Sequence, residues 1–206
     1  MKVLIINGSP RENGNTKAVL SEMANEFLKE GIEVKFIEAA KEAVAGCLGC
    51  GYCSKNGKCI KDDAVNEAAK DLEECDGVVI GSPVYYASPN GSLLAFLDRL
   101  FYSTSKVDKR MKVGASFAVA RRGGTTAAFD VLNKYFTISE MPIASSRYWN
   151  IAHGARPGEV LEDKEGMQTA RILAKNMIFL MRSIELGRKA FGLPEAEKKE
   201  RTNFIR

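Results

Sequence analysis

Four of the five cysteines lie within a short segment, at positions 47, 50, 53 and 59. Their spacing, C-x2-C-x2-C-x5-C, lets four thiolates converge on one centre, and four cysteine ligands suit a [4Fe–4S] cluster. Soft thiolates favour iron or zinc over hard cations. Zinc prefers CxxC pairs that lie well apart in sequence. The cysteines could also be free thiols, a disulfide-linked remnant of a lost cluster, or small packing residues. All of these alternatives remain open from spacing alone.

A second candidate site is the polar loop that follows the first apolar run. Val3–Ile6 predicts a buried strand, Gly8-Ser9-Pro10 ends it, and a helical pattern begins near Thr16. A helix N-terminus after a polar loop favours an anion, because free N–H groups and the helix dipole both point at it. Ser9, Asn15 and Thr16 add further donors, so a terminal phosphate would fit. The loop matches neither the Walker pattern nor G-x-G-x-x-G, and an ordinary strand-to-helix turn is the alternative.

The tripeptide Gly-Ser-Pro recurs at 81–83, again after a buried strand, and an aromatic loop follows it at 84–91. In a doubly wound sheet of order 2-1-3-4-5, the first and third strands are neighbours at the point where ligands bind. The two Gly-Ser-Pro loops are therefore expected to face each other across one crevice. The segment 121–125 is predicted to form a third loop on the same rim.

The elements that position these loops alternate between strands and helices, which predicts a parallel sheet covered on both faces. The predicted fold is a three-layer α/β sandwich with a five-stranded parallel sheet of order 2-1-3-4-5. One domain is expected over 1–206, with a cysteine-rich insertion at 41–63 after the second strand and an extended, charged tail over 195–206. Strands are predicted over 3–6, 34–37, 78–80, 112–120 and 142–149, and helices over 16–30, 63–74, 93–101, 127–136 and 168–189.

Composition narrows the class of protein further. The chain has 206 residues, 45% hydrophobic and 27% charged, as expected for a globular domain with a substantial core. A net charge of +4 is too small and too dispersed for a nucleic-acid partner. Neither a signal peptide nor a membrane-spanning run is recognised, so a cytoplasmic protein without membrane contact is expected. The single histidine, His153, is interpreted as a surface or capping residue, with a general acid for a quinone substrate as the alternative.

Four sequence pieces together resemble the flavodoxin-like NAD(P)H-dependent FMN reductase family, including its iron–sulfur flavoprotein branch. They are GSPRENGNT at 8–16, GSPVYYASPNG at 81–91, ARRGGTT at 120–126, and CLGCGYC at 47–53 with Cys59. The resemblance implies bound FMN with three groups of contacts. The phosphate would be held by Ser9, Arg11, Asn13, Asn15 and Thr16; the isoalloxazine ring would be lined by Pro83, Val84, Tyr85, Tyr86 and Asn90; and its pyrimidine edge would be met by Arg122, Gly123 and Gly124, with backbone N–H groups donating to the flavin carbonyls.

The resemblance also implies the reaction. NADPH or NADH would reduce bound FMN, which would pass electrons to a quinone, a flavin or another small acceptor. The alternatives are an electron carrier holding FMN and a [4Fe–4S] cluster on Cys47, Cys50, Cys53 and Cys59, and an FMN-binding module without turnover. No catalytic side chain is expected, because the flavin itself accepts the hydride. A homodimer or homotetramer is expected, since a second subunit commonly completes the nicotinamide site in reductases of this type. Of the two adjacent tyrosines, one is expected to contact the ring and the other to point into the core.

Overall fold

A computed structural model describes residues 1–198 and 200–205, so Lys199 and Arg206 of the predicted tail lie outside the described residues. The tail residues that it does describe are exposed and carry no regular secondary structure. Strands and helices alternate along the chain in the order β1 (Lys2–Asn7), α1 (Asn15–Lys29), β2 (Glu33–Glu38), α2 (Tyr52–Asn56), α3 (Ala64–Glu74), β3 (Gly77–Tyr85), β4 (Ser88–Pro89), α4 (Gly91–Ser103), β5 (Val113–Ala120), α5 (Thr125–Thr137), β6 (Ile151–His153), a 3-10 turn (Glu159–Glu162) and α6 (Lys164–Phe191).

The sheet confirms the predicted fold class. Its parallel strands follow the order β2-β1-β3-β5-β6, and the short β4 pairs antiparallel with the end of β3. Because β4 stands outside the main path, β5 and β6 are the fourth and fifth strands of the predicted order 2-1-3-4-5. The cysteine-rich segment follows β2, as predicted. None of the helices in the described part of the chain has both the length and the apolar character needed to cross a bilayer.

Two apolar layers hold the helices against the sheet, and alternate residues of β1 supply both layers. Val3 and Ile5 pack with α1 and α6, whereas Leu4 and Ile6 pack with α3, α4 and α5. All four of these side chains are fully buried. A continuous apolar run is what a parallel strand buried on both faces requires, because successive side chains point to opposite sides of the sheet. The three-layer sandwich therefore follows directly from the run at the start of the chain.

The strand predicted over 142–149 is wrong. Within 142–150, all of it described, pairing with β5 reduces to a bridge between Ile143 and Gly114, and the edge strand β6 forms at 151–153 instead. The Ser146 hydroxyl oxygen lies 2.7 Å from both the Tyr148 carbonyl and Asn150 Oδ1, in a turn that precedes β6. The rings of Tyr148 and Trp149 contact each other at the surface in a tilted arrangement, with centroids 4.9 Å apart.

The third strand is longer than the predicted 78–80. Gly81, Ser82 and Pro83 pair in parallel register with Phe117, Ala118 and Val119 of β5, so the second Gly-Ser-Pro continues the strand instead of ending it. Gly81 and Ser82 are buried. The consequence for function is that β3 projects beyond the carboxyl end of β1 and carries its aromatic turn out past the edge of the sheet.

Candidate functional site

The first and second Gly-Ser-Pro segments meet at the carboxyl edge of the sheet, as predicted. The Gly8 N–H donates a hydrogen bond to the Gly81 carbonyl over 2.8 Å. A Cβ at Gly8 would lie 2.4 Å from Leu93 Cδ2 and 2.9 Å from the Gly81 oxygen. This position therefore has no room for a side chain, and glycine is what allows the two segments to touch.

The loop between β1 and α1 folds around the hydroxyl of Ser9. The Ser9 N–H donates to Asn7 Oδ1 over 3.1 Å, and Ser9 Oγ accepts from the Arg11 N–H over 3.2 Å. A Cβ at Gly14 would lie 2.7 Å from Ser9 Oγ, so the loop is closed tightly. Gly14 is the N-cap of α1 and offers no side chain to its free N–H groups, and the first turn holds no acidic residue. A bare helix start of this kind fits an anionic group such as a phosphate.

The predicted phosphate residues differ in their surroundings. Thr16 lies buried in the first turn of α1, whereas Arg11 and Asn13 are exposed at the tip of the loop. The Asn15 side chain bonds to a different segment of the chain. Its Nδ2 donates to the Arg156 carbonyl over 2.9 Å, and its Oδ1 accepts from the Val160 N–H over 3.4 Å. Asn15 therefore fastens the loop to the segment between β6 and α6.

The hairpin of β3 and β4 presents its aromatic residues to solvent. Tyr86 and Ala87 form its turn with φ of 51° and 60°, a left-handed conformation that costs a non-glycine residue about 1–2 kcal/mol. Tyr86 is fully exposed and Tyr85 is 45% exposed, so the expectation that one tyrosine points into the core is wrong. Pro83 and Val84 are half-buried beside them.

Asn90 closes the hairpin and begins α4. Its Oδ1 accepts from the Ser92 N–H over 2.7 Å, and its own N–H donates to Ser82 Oγ over 3.0 Å. The side chain is buried, and its oxygen acts as a helix N-cap. The structure thus shows Asn90 fixing the geometry of the predicted ring-lining segment.

The loop after β5 packs directly against this hairpin. Gly124 has a φ of +90°, and a Cβ there would lie 2.8 Å from Ala87 Cα and 3.0 Å from Val84 Cγ1. Arg122 and Gly123 are exposed beside it. All three predicted loops therefore meet on one rim of the sheet.

His153 contacts the loop that follows β5. Its Nε2 lies 3.1 Å from the Arg122 carbonyl, and its backbone N–H donates to Asp163 Oδ2 over 2.7 Å. Asp163 also caps α6 by accepting from the Gly166 N–H over 2.9 Å. These contacts give His153 a structural role, and its exposed side chain is consistent with the interpretation as a surface residue. They also connect the start of α6 to the rim.

The four clustered cysteines line a second, small pocket next to α4. Cys47 and Cys50 are exposed, Cys59 is intermediate, and Cys53 is buried on α2. Within the described residues, no three histidine, cysteine or carboxylate side chains are grouped closely enough for a single metal ion. The donor set itself, four thiols on one wall, has the chemistry that an iron–sulfur cluster or zinc requires.

Sequence reasoning missed Arg99, which lies in the same pocket. It sits on α4, whose buried residues are otherwise nearly all apolar, and its side chain is 1% exposed. Its guanidinium forms a two-pronged ion pair with Asp63 at 2.7 and 2.9 Å. Burial raises the pKa of Asp63, but hydrogen bonds from Arg99 and the Val65 N–H outweigh it and leave that pKa below its usual range. A charge among the apolar residues of α4, directly after Asp98, was the available signal.

The fifth cysteine, Cys75, lies in the core as predicted, between α3 and β3. Burial raises the pKa of its thiol to about 11. At neutral pH it is therefore protonated and inaccessible, which separates it chemically from the four cysteines of the pocket.

Comparison with known proteins decides the family. Residues 1–156 match the family of NADPH-dependent FMN reductases. The chain belongs to this family. An iron–sulfur flavoprotein of Methanocaldococcus jannaschii is 34% identical over 192 residues, which covers 90% of this chain and 100% of that protein.

Solved structures agree on the fold of this FMN reductase family member. RosB, in a crystal structure with bound 8-demethyl-8-formylriboflavin-5'-phosphate, superposes with a TM-score of 0.69 at 15% identity, covering 100% of this chain and 92% of RosB. A flavodoxin from the domain Archaea gives a TM-score of 0.59 at 16% identity, covering 88% and 99%. The family match places the chain among flavodoxin-like, FMN-binding oxidoreductases, and it covers all three rim loops and the cysteine-rich segment.

Proposed function

We propose that the protein binds FMN across the rim formed by its three loops and transfers electrons from NADPH or NADH to a small acceptor such as a quinone or a flavin. The observation that carries this proposal is the closure of the rim: Gly8 bonded to Gly81, and Gly124 against Ala87. When bound, FMN would supply hydride acceptance and the release of electrons singly or in pairs.

The residues of this chain would bind and orient the ligand. The phosphate would lie at the start of α1 with Ser9 and Thr16, with Arg11 and Asn13 closing over it, and Asn15 would hold the loop in place. The ring would lie against Pro83, Val84, Tyr85 and Tyr86, in a segment that Asn90 fixes. Backbone N–H groups of Arg122, Gly123 and Gly124 would donate to the pyrimidine edge, which stabilises negative charge on the reduced ring.

Loss of the phosphate contacts tests the proposal. The triple variant Ser9→Ala, Asn15→Ala and Thr16→Ala is expected to weaken FMN binding about a hundredfold, because it removes the two hydroxyls that would donate to the charged phosphate and the amide that fastens the loop. Flavin fluorescence quenching on titration into apoprotein measures the affinity. Thr137→Ala, which removes an exposed hydroxyl at the far end of α5, is the control and should bind as the wild type does. Unaltered affinity in the triple variant would refute the placement of the phosphate.

Turnover is tested on the same flavin-loaded protein. Anaerobic addition of NADPH or NADH should bleach the flavin absorbance within seconds if the protein is a reductase. An FMN-binding module without turnover would retain the oxidised spectrum. The expected single domain, homodimer or homotetramer, and cytoplasmic location stay predictions.

A second candidate is an electron carrier that holds a [4Fe–4S] cluster on Cys47, Cys50, Cys53 and Cys59 beside the flavin. The specific observation in its favour is that all four thiols line one pocket. The similarity to an iron–sulfur flavoprotein supports it. Anaerobically purified protein is then expected to contain about four irons and four sulfides per chain. Flavin bands without iron would leave the reductase as the function and the cysteines as unmetallated thiols.

A further inference from the structure

The buried guanidinium of Arg99 needs an explanation that packing does not give. It is the largest of the fully buried side chains in the described part of the chain, and it lies on a helix whose other buried residues are apolar apart from Ser103. Burying a cation is costly unless it is paired and hydrogen-bonded on all sides. A leucine at this position would fill the core without that cost. Arg99 meets this condition, so its partners indicate what the buried charge holds in place.

The contacts of Arg99 all lie in the cysteine-rich segment. Its Nε and Nη2 lie 3.4 and 3.3 Å from Cys59 Sγ. Its other donors reach Asp63, the Ala45 carbonyl at 3.3 Å and the Lys61 carbonyl at 3.2 Å. One side chain on α4 thus fastens both ends of the segment that carries the four cysteines.

Cys59 is held from two directions. Its backbone is fixed by Asn66, whose Oδ1 accepts from the Cys59 N–H over 2.9 Å and whose Nδ2 donates to the Cys59 carbonyl over 3.1 Å. Its sulfur is fixed by Arg99. By contrast, Cys47 and Cys50 are exposed. Cys59 is therefore the most firmly oriented thiol at the mouth of the pocket.

We propose that Arg99 is a positioning residue of the cysteine site: by donating hydrogen bonds to Cys59 Sγ, it presets this sulfur as a ligand and favours the reduced form of a bound cluster. The orientation of the sulfur stands by itself, and only the effect on the reduced form of the cluster rests on the electron-carrier candidate. Hydrogen bonds to ligand sulfurs and a nearby positive charge both stabilise the added electron, which raises the reduction potential.

Arginine suits this role and lysine does not. The planar guanidinium presents five N–H donors in a fixed fork, so it serves the sulfur, the carboxylate and two carbonyls together. A lysine ammonium would keep the charge opposite Asp63 but has three donors on one atom. Arg99→Lys therefore separates the loss of the sulfur contact from the loss of the buried charge.

The experiment compares the full-length wild type with Arg99→Lys, Arg99→Met and, as the control, Arg110→Gln. Arg110 makes a similar two-pronged pair with Asp108 outside the cysteine-rich segment. Each protein is treated with iodoacetamide in its metal-free form, and the alkylation rate of each cysteine is measured by mass spectrometry with buried Cys75 as the internal reference. Each is also reconstituted with ferrous iron and sulfide, and the cluster potential is measured by dithionite titration followed by electron paramagnetic resonance.

Arg99→Lys is expected to retain FMN and the wild-type circular dichroism, while the alkylation rate of Cys59 changes about tenfold on loss of the hydrogen bonds to its sulfur. Its cluster potential should fall by about 59 mV, the equivalent of a tenfold shift in a one-electron equilibrium. Arg110→Gln should change neither value. Equal Cys59 rates and equal potentials in wild type and Arg99→Lys would overturn the proposal while leaving the electron carrier intact.

The wild type could take up no iron while the alkylation rate of Cys59 still changes in Arg99→Lys. This result would refute the electron-carrier candidate and the effect on the cluster potential, and would support the positioning of the sulfur. If Arg99→Met does not fold, Arg99→Lys decides the question. Unfolding of both variants would make Arg99 a structural residue and overturn the proposal.

Discussion

Gly124→Ala is expected to destabilise the fold by about 1–3 kcal/mol and to weaken FMN binding about tenfold or more. The alanine would have to adopt a φ of +90°, and its Cβ would lie 2.8 Å from Ala87 Cα. A backbone atom cannot turn aside as a flexible side chain does. The loop after β5 would therefore separate from the hairpin, and the proposed flavin site lies across that contact.

The neighbouring glycine gives a matched control. A Cβ at Gly123 would meet no heavy atom within 4 Å among the described residues, and its backbone is not in the left-handed region. Gly123→Ala should therefore leave stability within about 0.5 kcal/mol of the wild type. Urea unfolding measures the stability, and fluorescence titration measures the affinity for FMN. Equal losses of stability in the two variants would show that the contact between the loop and the hairpin does not hold the rim together.

Asp63→Ala is expected to cost about 3–5 kcal/mol, because it leaves the Arg99 cation buried without its carboxylate. The exposed pair of Arg110 and Asp108 provides the comparison. Asp108 is 52% exposed, and Asp108→Ala should cost no more than about 1 kcal/mol. Both free energies of unfolding come from denaturant titration. Similar costs for the two variants would mean that solvent reaches Arg99 and that the pair is not buried in solution.

A second variant separates the ion pair from helix capping, since Asp63 Oδ1 also accepts from the Val65 N–H at the start of α3. Asp63→Asn keeps this cap. Its loss of unfolding free energy should therefore lie between that of Asp63→Ala and that of Asp108→Ala. The pKa of Asp63 is lower in the folded state, so the pair stabilises the protein above the ordinary aspartate pKa of about 3.9. That contribution is lost as pH falls through the folded-state pKa. The difference between wild type and Asp63→Asn should accordingly shrink in acid.

The sequence predicts the sheet and the rim well because both depend on local patterns. Uninterrupted runs such as Val3–Ile6 occur where strands are buried on both faces, and glycine marks the turns at the carboxyl edge. The wrongly predicted strand at 142–149 shows that such local patterns are not always sufficient. Tyr148 and Trp149 have the apolar character of strand residues, but their tilted rings contact each other at the surface, and the Ser146 hydroxyl lies 2.7 Å from Asn150 Oδ1 within a turn.

The contacts of Arg99 and Asn15 could not be predicted from the sequence, for a different reason. Their types and positions are visible in the sequence, but their partners lie far along the chain: Asp63 for Arg99, and Arg156 and Val160 for Asn15. Periodicity along one helix says nothing about what faces it from another element. Contacts between distant segments follow from the packing of the whole sheet, so the structure was needed to find them.

The turn at Tyr86 and Ala87 sets a limit on how this protein can be made more heat-resistant. Two-residue hairpin turns with positive φ are most stable with Asn-Gly, so the simplest gain in melting temperature lies at these two positions. That gain would replace a fully exposed aromatic ring at the rim with an amide. Selection for thermal endurance and selection for a ring-shaped ligand therefore pull this pair of residues in opposite directions, as is common where a binding surface stores strain.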